Sequence, residues 1–174
     1  MSSATPDYRF YALEAGWFIW PRFYKVFVTP SAICGAYLAG QVYDELSGNR
    51  QLAMLGHELG LAFTPLITWL IERRQEREQR YEGVNLSGPE FLKQDRKNFR
   101  LTAEEIQQVV LSAQRVTSWT PSSTGIMTMH SWNASRRRLL LVGEANLESV
   151  RTAVSRFVPV TGLLPDAGQA HGHE

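Results

Sequence analysis

The stretch from Leu52 to Glu82 constrains the fold of this chain most strongly, because an apolar half is followed abruptly by a charged half. Its apolar residues recur at helical spacing, which predicts one long helix, or two helices that break near Pro65. The segments before and after it are typical of β-structure. We therefore expect an α+β fold in which residues 9–43 and 99–143 form a sheet and residues 52–82 form an inserted helix.

The apolar half of this helix is short for a membrane span. Residues 59–71 carry no charge, but as a helix they cover only roughly 20 Å, against a hydrocarbon core of about 30 Å. An extension back to Leu52 brings in His57 and Glu58, which are costly in lipid. We expect this half to pack against a protein surface or to lie at a membrane interface, and not to cross a bilayer.

The same apolar half can also join two copies of the chain. The concrete hypothesis is a homodimer whose contact residues are large apolar side chains of the helix, namely Leu59, Phe63, Leu66 and Trp69. Such a dimer predicts a mass in sedimentation that increases with protein concentration.

The charged half alternates in sign along the chain. Arg74 with Glu78, and Glu76 with Arg80, are four residues apart and can pair on a helix, each pair contributing a few tenths of a kcal/mol. This pattern predicts a solvated extension of the helix that ends at Gly83. A projecting coiled-coil arm is the alternative, but no sustained apolar heptad supports it.

The rest of the chain predicts one domain, since 174 residues normally bury a single core. We expect a flexible leader over residues 1–8, a domain over 9–160 with its helical insertion at 50–82, and a disordered tail over 161–174. An amphipathic helix from Leu147 to Phe157 closes one end of the sheet. The predicted strand segments are 9–20, 23–28, 33–42, 99–101, 106–116, 126–132 and 137–142.

The carboxy-terminal pattern resembles a known family. Phe99-Arg100-Leu101-Thr102 is followed by Ile106, then by Trp119, Gly125 and the strand that ends at Val142. Together with the helix after it, this pattern is similar to the end of a bacterial pleckstrin-homology-like domain of the YcxB-like branch. The resemblance covers about a third of the chain. It implies a curled antiparallel sheet closed by one helix, and it implies no activity, since such folds serve mostly as recognition platforms.

Charge and cysteine content exclude some classes of function. A formal net charge of +1 argues against a dedicated nucleic-acid-binding protein, which usually carries a strong basic excess. Cys34 is the single cysteine, so no disulfide can form within the chain, which fits a reducing compartment. Residues 1–9 lack the apolar core of a signal peptide. We expect a cytoplasmic protein, with peripheral attachment to a membrane as a further option.

The chemistry-bearing residues do not form a catalytic pattern. His57 and Glu58 are adjacent, and adjacent helical residues point about 100° apart, so they cannot chelate a metal together. His171 and His173 could share a metal ion in a flexible tail, but incidental histidines are the simpler interpretation. Burial of Cys34 in an apolar strand is expected to raise its pKa and make it inert. The sequence predicts no catalytic residue, no metal and no cofactor.

The densest positive cluster is Arg136, Arg137 and Arg138, and Trp132 precedes it at a predicted hairpin tip. An indole beside cations suits contact with anionic lipid head groups or an acidic partner, at about 1 kcal/mol per basic residue near a charged membrane. The alternative is a solvated hairpin end in which Arg137 is paired across the strand.

These patterns together favour a non-enzymatic module that binds a protein partner or a second copy of itself through an exposed sheet edge or through the apolar face of the inserted helix. The alternative is a peripheral membrane protein that uses the apolar part of the helix and the basic hairpin.

Overall fold

The computed structural model describes residues 6–14, 22–40, 64–113 and 123–162. These ranges contain strands β1 (Tyr8–Glu14), β2 (Arg22–Val28), β3 (Ala32–Gly40), β4 (Phe99–Thr102), β5 (Ile106–Ser112), β6 (Gly125–Ser131), β7 (Arg136–Val142) and β8 (Val160–Thr161). They also contain helices α1 (Thr64–Arg80), α2 (Pro89–Gln94) and α3 (Leu147–Val154). The predicted α+β class is therefore confirmed.

All eight strands belong to one sheet, in the order β4-β3-β2-β1-β7-β6-β5-β8. Neighbouring strands are antiparallel, except that β8 runs parallel to β5. Because β4 and β8 stand at the two ends of the order, the sheet is not closed. β1 lies in the middle and joins the amino-terminal strands to the carboxy-terminal ones.

One face of this sheet, the inner face, packs around a single core that α3 covers. Alternate residues of the strands on both sides of β1 contribute to it, among them Val26, Val109 and Leu139. Val150 and Val154 of α3 are fully buried in the same core. The helix begins where it does because the Asn146 side chain accepts hydrogen bonds from the first free backbone N–H groups, at 2.8 and 3.4 Å.

The opposite face, the outer face, is covered by the insertion between β3 and β4. Tyr81, Leu86 and Phe91 of the insertion form a second core with apolar residues of the strands. Asn98 ties this layer together, because its Oδ1 accepts from the Tyr37 backbone at 2.8 Å and from the Tyr81 hydroxyl at 3.0 Å. The inserted segment is therefore a layer of the domain and not a separate arm.

The predicted elements agree with the observed ones in kind and differ at their ends. Each predicted strand segment overlaps an observed strand, although β1 already begins at Tyr8 and β5 ends at Ser112. The predicted strand residues 15–20, 41–42 and 114–116 lie outside the described ranges. β8 was not predicted and lies across the expected boundary between domain and tail at residue 160. The helix predicted over 52–82 is present over Thr64–Arg80, and residues 52–63 lie outside the described ranges. In the described ranges, no helix is long and apolar enough to cross a bilayer.

Among the turns that hold backbone in the left-handed region, two differ in the residue type that they carry. Ala134, in the turn between β6 and β7, has φ 61°, and Gly83, just after α1, has φ 74°. A Cβ atom built on Gly83 has no other atom within 4 Å. Ala134 carries a Cβ atom at a left-handed φ and Gly83 does not. Exchanging the residue types at these positions therefore measures the conformational strain that a Cβ atom causes there, which is about 1–2 kcal/mol.

We expect opposite effects from exchanging the residue types at these positions. Ala134→Gly relieves the left-handed strain but adds entropy to the unfolded chain, so the free energy of unfolding should increase by about 0.5–1 kcal/mol. Gly83→Ala should decrease it by about 1 kcal/mol. Urea unfolding of both variants checks this, and a destabilised Ala134→Gly variant would contradict the assignment of strain.

Candidate interaction surfaces

Trp132 lies at the tip of the hairpin that joins β6 to β7, as its position in the sequence predicts. The turn is fixed by a hydrogen bond from the Ser131 N–H to the Ser135 carbonyl at 3.0 Å. The Trp132 N–H donates to the Glu105 carbonyl at 3.1 Å, which anchors the tip to the turn before β5. The Trp132 side chain is 68% exposed, so a large indole projects from an ordered backbone.

The three arginines after this turn separate onto the two faces of β7, because successive residues of a strand point in opposite directions. Arg136 and Arg138 are exposed and alternate with Arg137, which lies on the inner face with Leu139 and Leu141. Arg137 Nη1 lies 2.7 Å from Glu14 Oε1, and its guanidinium lies 4.1 Å from the Phe99 ring centroid. The available cations beside Trp132 are therefore Arg136 and Arg138, while Arg137 is paired across the sheet.

The second exposed tryptophan is Trp69 on α1, at 48% exposure. The Arg73 guanidinium stacks on its ring at 4.9 Å from the centroid. Leu59, Phe63 and the Leu66 side chain, the other members of the predicted dimer contact, lie outside the described part of the structure.

The face of α1 that meets the sheet is held by a buried ion pair. Lys25 projects from the outer face of β2 and is only 8% exposed. Its Nζ lies 2.6 Å from Glu78 Oε1, and the Tyr11 hydroxyl donates to the same oxygen at 2.5 Å. We call Lys25, Glu78 and Tyr11 the ionic clamp. It connects the inserted helix to the two central strands β1 and β2.

Two arginines of the charged half extend this contact. Arg74 is 6% exposed, and its guanidinium lies 4.5 Å from the Phe23 ring centroid and 5.6 Å from that of Tyr11. Arg77 Nη1 donates to the Leu38 carbonyl at 3.2 Å. The prediction that the charged half is a solvated extension is therefore wrong for this face, although Glu72, Arg73 and Glu76 are exposed.

The clamp determines the protonation of Glu78. Burial alone would raise the pKa of this carboxyl group, but the hydrogen bonds from Lys25 and Tyr11 and the charges of Lys25 and Arg74 outweigh it. The pKa of Glu78 is therefore lowered from its usual value. Glu78 remains ionised at neutral pH and keeps the buried ammonium group of Lys25 neutralised.

A second polar cluster lies on the inner face, at the end of the sheet away from α3. Glu14 forms the ion pair with Arg137 described above, and its Oε2 also lies 3.7 Å from Arg22 Nη1. The Tyr24 hydroxyl is 3.1 Å from Glu14 Oε2, and burial together with the Glu14 charge raises the pKa of Tyr24 to about 12. One carboxylate here faces two guanidinium groups, so the cluster links strands and keeps one positive charge, with Arg22 the half-exposed member.

The Phe99 ring in this cluster depends on a glycine. Gly35 is paired with Phe99 across β3 and β4, and a Cβ atom on Gly35 would lie 2.0 Å from the ring. The missing side chain lets the ring lie flat against the strand, where Arg137 and Tyr24 pack on it.

Four described groups have a perturbed pKa, and in each of them the pKa is shifted further from 7. Burial raises the pKa of Cys34 to about 12, as the sequence predicts for an inert thiol, and it also raises the pKa of Tyr81. With Tyr24 raised and Glu78 lowered, none of these groups is placed to exchange a proton near pH 7. They act as hydrogen-bonding and charged groups of the fold.

The histidine candidates, His57 with Glu58 and His171 with His173, lie outside the described residues. Within the described ranges, no three side chains of His, Cys, Asp or Glu come together in a way that could hold a metal ion.

Comparison with known proteins adds little to this geometry. The chain matches no family model and no curated protein. Among solved structures, the hSac2 domain of the human phosphoinositide phosphatase Sac2 aligns with all of this chain and with 86% of its own length, at 10% identity and a TM-score of 0.42. A TM-score of this size does not establish a common fold, so the proposals below rest on the residues of this chain.

We expect Glu78→Gln to lower the free energy of unfolding by about 2–3 kcal/mol at pH 7, because it leaves the buried Lys25 charge without a counter-charge. A carboxyl group whose pKa is lowered by folding stabilises the protein above its unfolded pKa and loses this effect as the pH falls through the folded one. The free energy of unfolding of the unmodified protein should therefore decrease when the pH is lowered below about 4.5. The variant should show a weaker fall in urea unfolding between pH 7 and pH 3.

Glu76→Gln is the matched control, since Glu76 is exposed on the same helix two residues earlier. It should change stability by less than about 0.5 kcal/mol. Equal effects of the two substitutions would show that the ionic clamp does not hold α1.

Proposed function

We propose that this chain is a pleckstrin-homology-like interaction module without enzymatic activity. The antiparallel order β4-β3-β2-β1-β7-β6-β5, with α3 following β7 in the chain, supports a curled sheet closed by one helix. The inner core supports it too, because strands near both ends of the order contribute to one cluster under α3. In such a module the sheet is a scaffold, and the surfaces added to it carry the function.

We infer that the interaction surface is the outer side of α1, and that it joins two copies of the chain. The supporting observation is Trp69, which is 48% exposed and lies five residues before Arg74, about 140° around the helix axis. The ionic clamp fixes one side of α1 on the sheet, so the opposite side is presented rigidly. Of the residues that the sequence predicts for this contact, Leu59, Phe63, Leu66 and Trp69, only the Trp69 side chain lies in the described part of the structure, so the proposal for the outer side of α1 rests on Trp69.

Trp69→Ala should weaken self-association about tenfold or more, since a central tryptophan commonly contributes about 2 kcal/mol to an interface. Sedimentation equilibrium over a range of concentrations measures this. The unmodified protein should show a mass that increases from one chain towards two, while the variant should remain closer to one chain.

Leu92→Ala is the control, because Leu92 is an exposed apolar residue, at 37% exposure, on a different helix, α2. It should leave the association constant unchanged. An unmodified protein that stays monomeric at high concentration excludes the homodimer, and an equal effect of both substitutions would point to non-specific association.

A second function is favoured by the basic hairpin. Trp132, 68% exposed, lies at the tip of the hairpin whose second strand carries the exposed Arg136 and Arg138, and an indole and two cations on one hairpin suit the boundary of an anionic membrane. Under this proposal the protein is cytoplasmic and attaches peripherally, with no cofactor and no nucleic acid involved. Arg137, paired with Glu14, contributes less to this contact than the sequence suggests.

We expect Arg136→Glu with Arg138→Glu to reduce co-sedimentation with phosphatidylserine-containing vesicles at least tenfold, at about 1 kcal/mol per basic residue. Binding to neutral phosphatidylcholine vesicles should be weak in both proteins. Arg96→Glu, a charge reversal at an exposed residue of the loop before β4, serves as control. Equal binding to neutral and anionic vesicles would exclude this function.

A further inference from the structure

The central strand β1 is paired over only half its length on the side of β7. The pairing with β7 covers Tyr11 to Glu14, and it stops where Tyr11 faces Val142. Gly143, with φ 69°, then turns the chain away from the strand towards α3. Within the described ranges, residues 8–10 therefore have β2 on one side and no strand on the other.

A cleft of about 480 Å³ opens at this place. It is lined by Tyr8, Arg9, Phe10, Tyr11, Lys25, Glu144 and Ala145. We call it the β1 cleft. Successive residues of β1 line it although their side chains point to opposite faces of the sheet. The cleft therefore runs along the edge of the strand, and it also reaches Lys25 on the outer face of β2.

A strand edge of this kind offers backbone groups to an extended segment. In an antiparallel strand, alternate residues direct their N–H and C=O groups to each side, so those of residues 8–10 that point away from β2 point into the cleft. Three residues of strand span about 10 Å, and the volume is within the range of about 300–1,000 Å³ of ordinary ligand sites.

The charges of the cleft specify the side chain that a bound segment should carry. Lys25 is already neutralised by Glu78 at 2.6 Å. Arg9 is exposed and forms no ion pair with any described residue. It points to the outer side, while Phe10 and Tyr8 belong to the inner core. Glu144, the third charged residue of the lining, is exposed at the turn after β7 and likewise forms no ion pair with any described residue. An added strand would thus place an acidic side chain beside Arg9, apolar side chains beside Tyr8 and Phe10, and no second acidic side chain beside Glu144.

We propose that the β1 cleft binds an extended peptide segment by strand addition to residues 8–10. The segment carries an acidic residue between two apolar residues, so that alternate side chains meet Arg9 on one side and the core aromatic residues on the other. This surface is separate from the outer side of α1 and from the Trp132 hairpin. The proposal does not depend on either function proposed above.

A display library of random ten-residue peptides, selected against the full chain, tests this proposal. We expect the selected peptides to share an apolar–acidic–apolar triplet. Arg9→Glu should weaken their binding about tenfold, because a cross-strand pair of opposite charges becomes a pair of like charges. Arg96→Glu, the same substitution at an exposed arginine outside the cleft, should leave the affinity unchanged.

N-methylation of the selected peptide, one residue at a time, identifies the mode of binding. Strand addition predicts loss of binding at every second position, since only alternate N–H groups face β1. Selection of no peptide that depends on Arg9, or an N-methyl scan without this alternation, overturns the proposal.

Discussion

The arrangement of this domain depends on the burial of one ammonium group. Lys25 stands on the outer face of a central strand, surrounded by Tyr11 and Phe27, with only 8% of its surface exposed. A charge in such a place is costly unless a counter-charge is supplied. Glu78 supplies it from a helix 53 residues further along the chain. The sheet therefore needs the inserted helix at this position, and the helix is oriented by the sheet.

The inserted helix consequently has two different sides. The side with Arg74 and Glu78 is buried on aromatic residues of the outer face, and the side with Trp69 and Arg73 is exposed. The inner face is occupied by α3 and its buried valines. Since α3 covers the inner face and the insertion packs on the outer face of β1, β2 and β3, the surfaces considered for partners lie on added elements and edges: the outer side of α1, the Trp132 hairpin and the β1 cleft.

The sequence predicts the elements well because their signals are local. Strand composition, the turn residues and the amphipathic pattern of residues 147–157 identify seven strands and α3 without knowledge of their partners. For the charged run after Glu72, the sequence predicts an exposed helix, because alternating charges on a helix are normally solvent-exposed. This prediction is wrong for the side that faces the sheet. Only the three-dimensional contact with Lys25 and Phe23 shows that these charges are buried.

For the site residues too, the sequence predicts features that depend on neighbouring residues but not contacts between residues far apart in the chain. Trp132 at a hairpin tip follows from the neighbouring turn residues, and its exposure agrees with that position. The separation of Arg137 from Arg136 and Arg138 follows from strand alternation, but its partner Glu14 is 123 residues away. β8 has two residues and pairs with β5 through tertiary contacts, and the β1 cleft exists because β7 leaves β1 early. No local pattern could have indicated either feature.

The central claim is that Lys25 and Glu78 stabilise each other and thereby hold the inserted helix on the sheet. A double-mutant cycle with Lys25→Met and Glu78→Gln, measured by urea unfolding at pH 7, tests it most directly. The account predicts a coupling energy of about 2 kcal/mol or more, with the double variant more stable than the Glu78→Gln variant. A coupling energy below about 0.5 kcal/mol, as for an exposed ion pair, would contradict it.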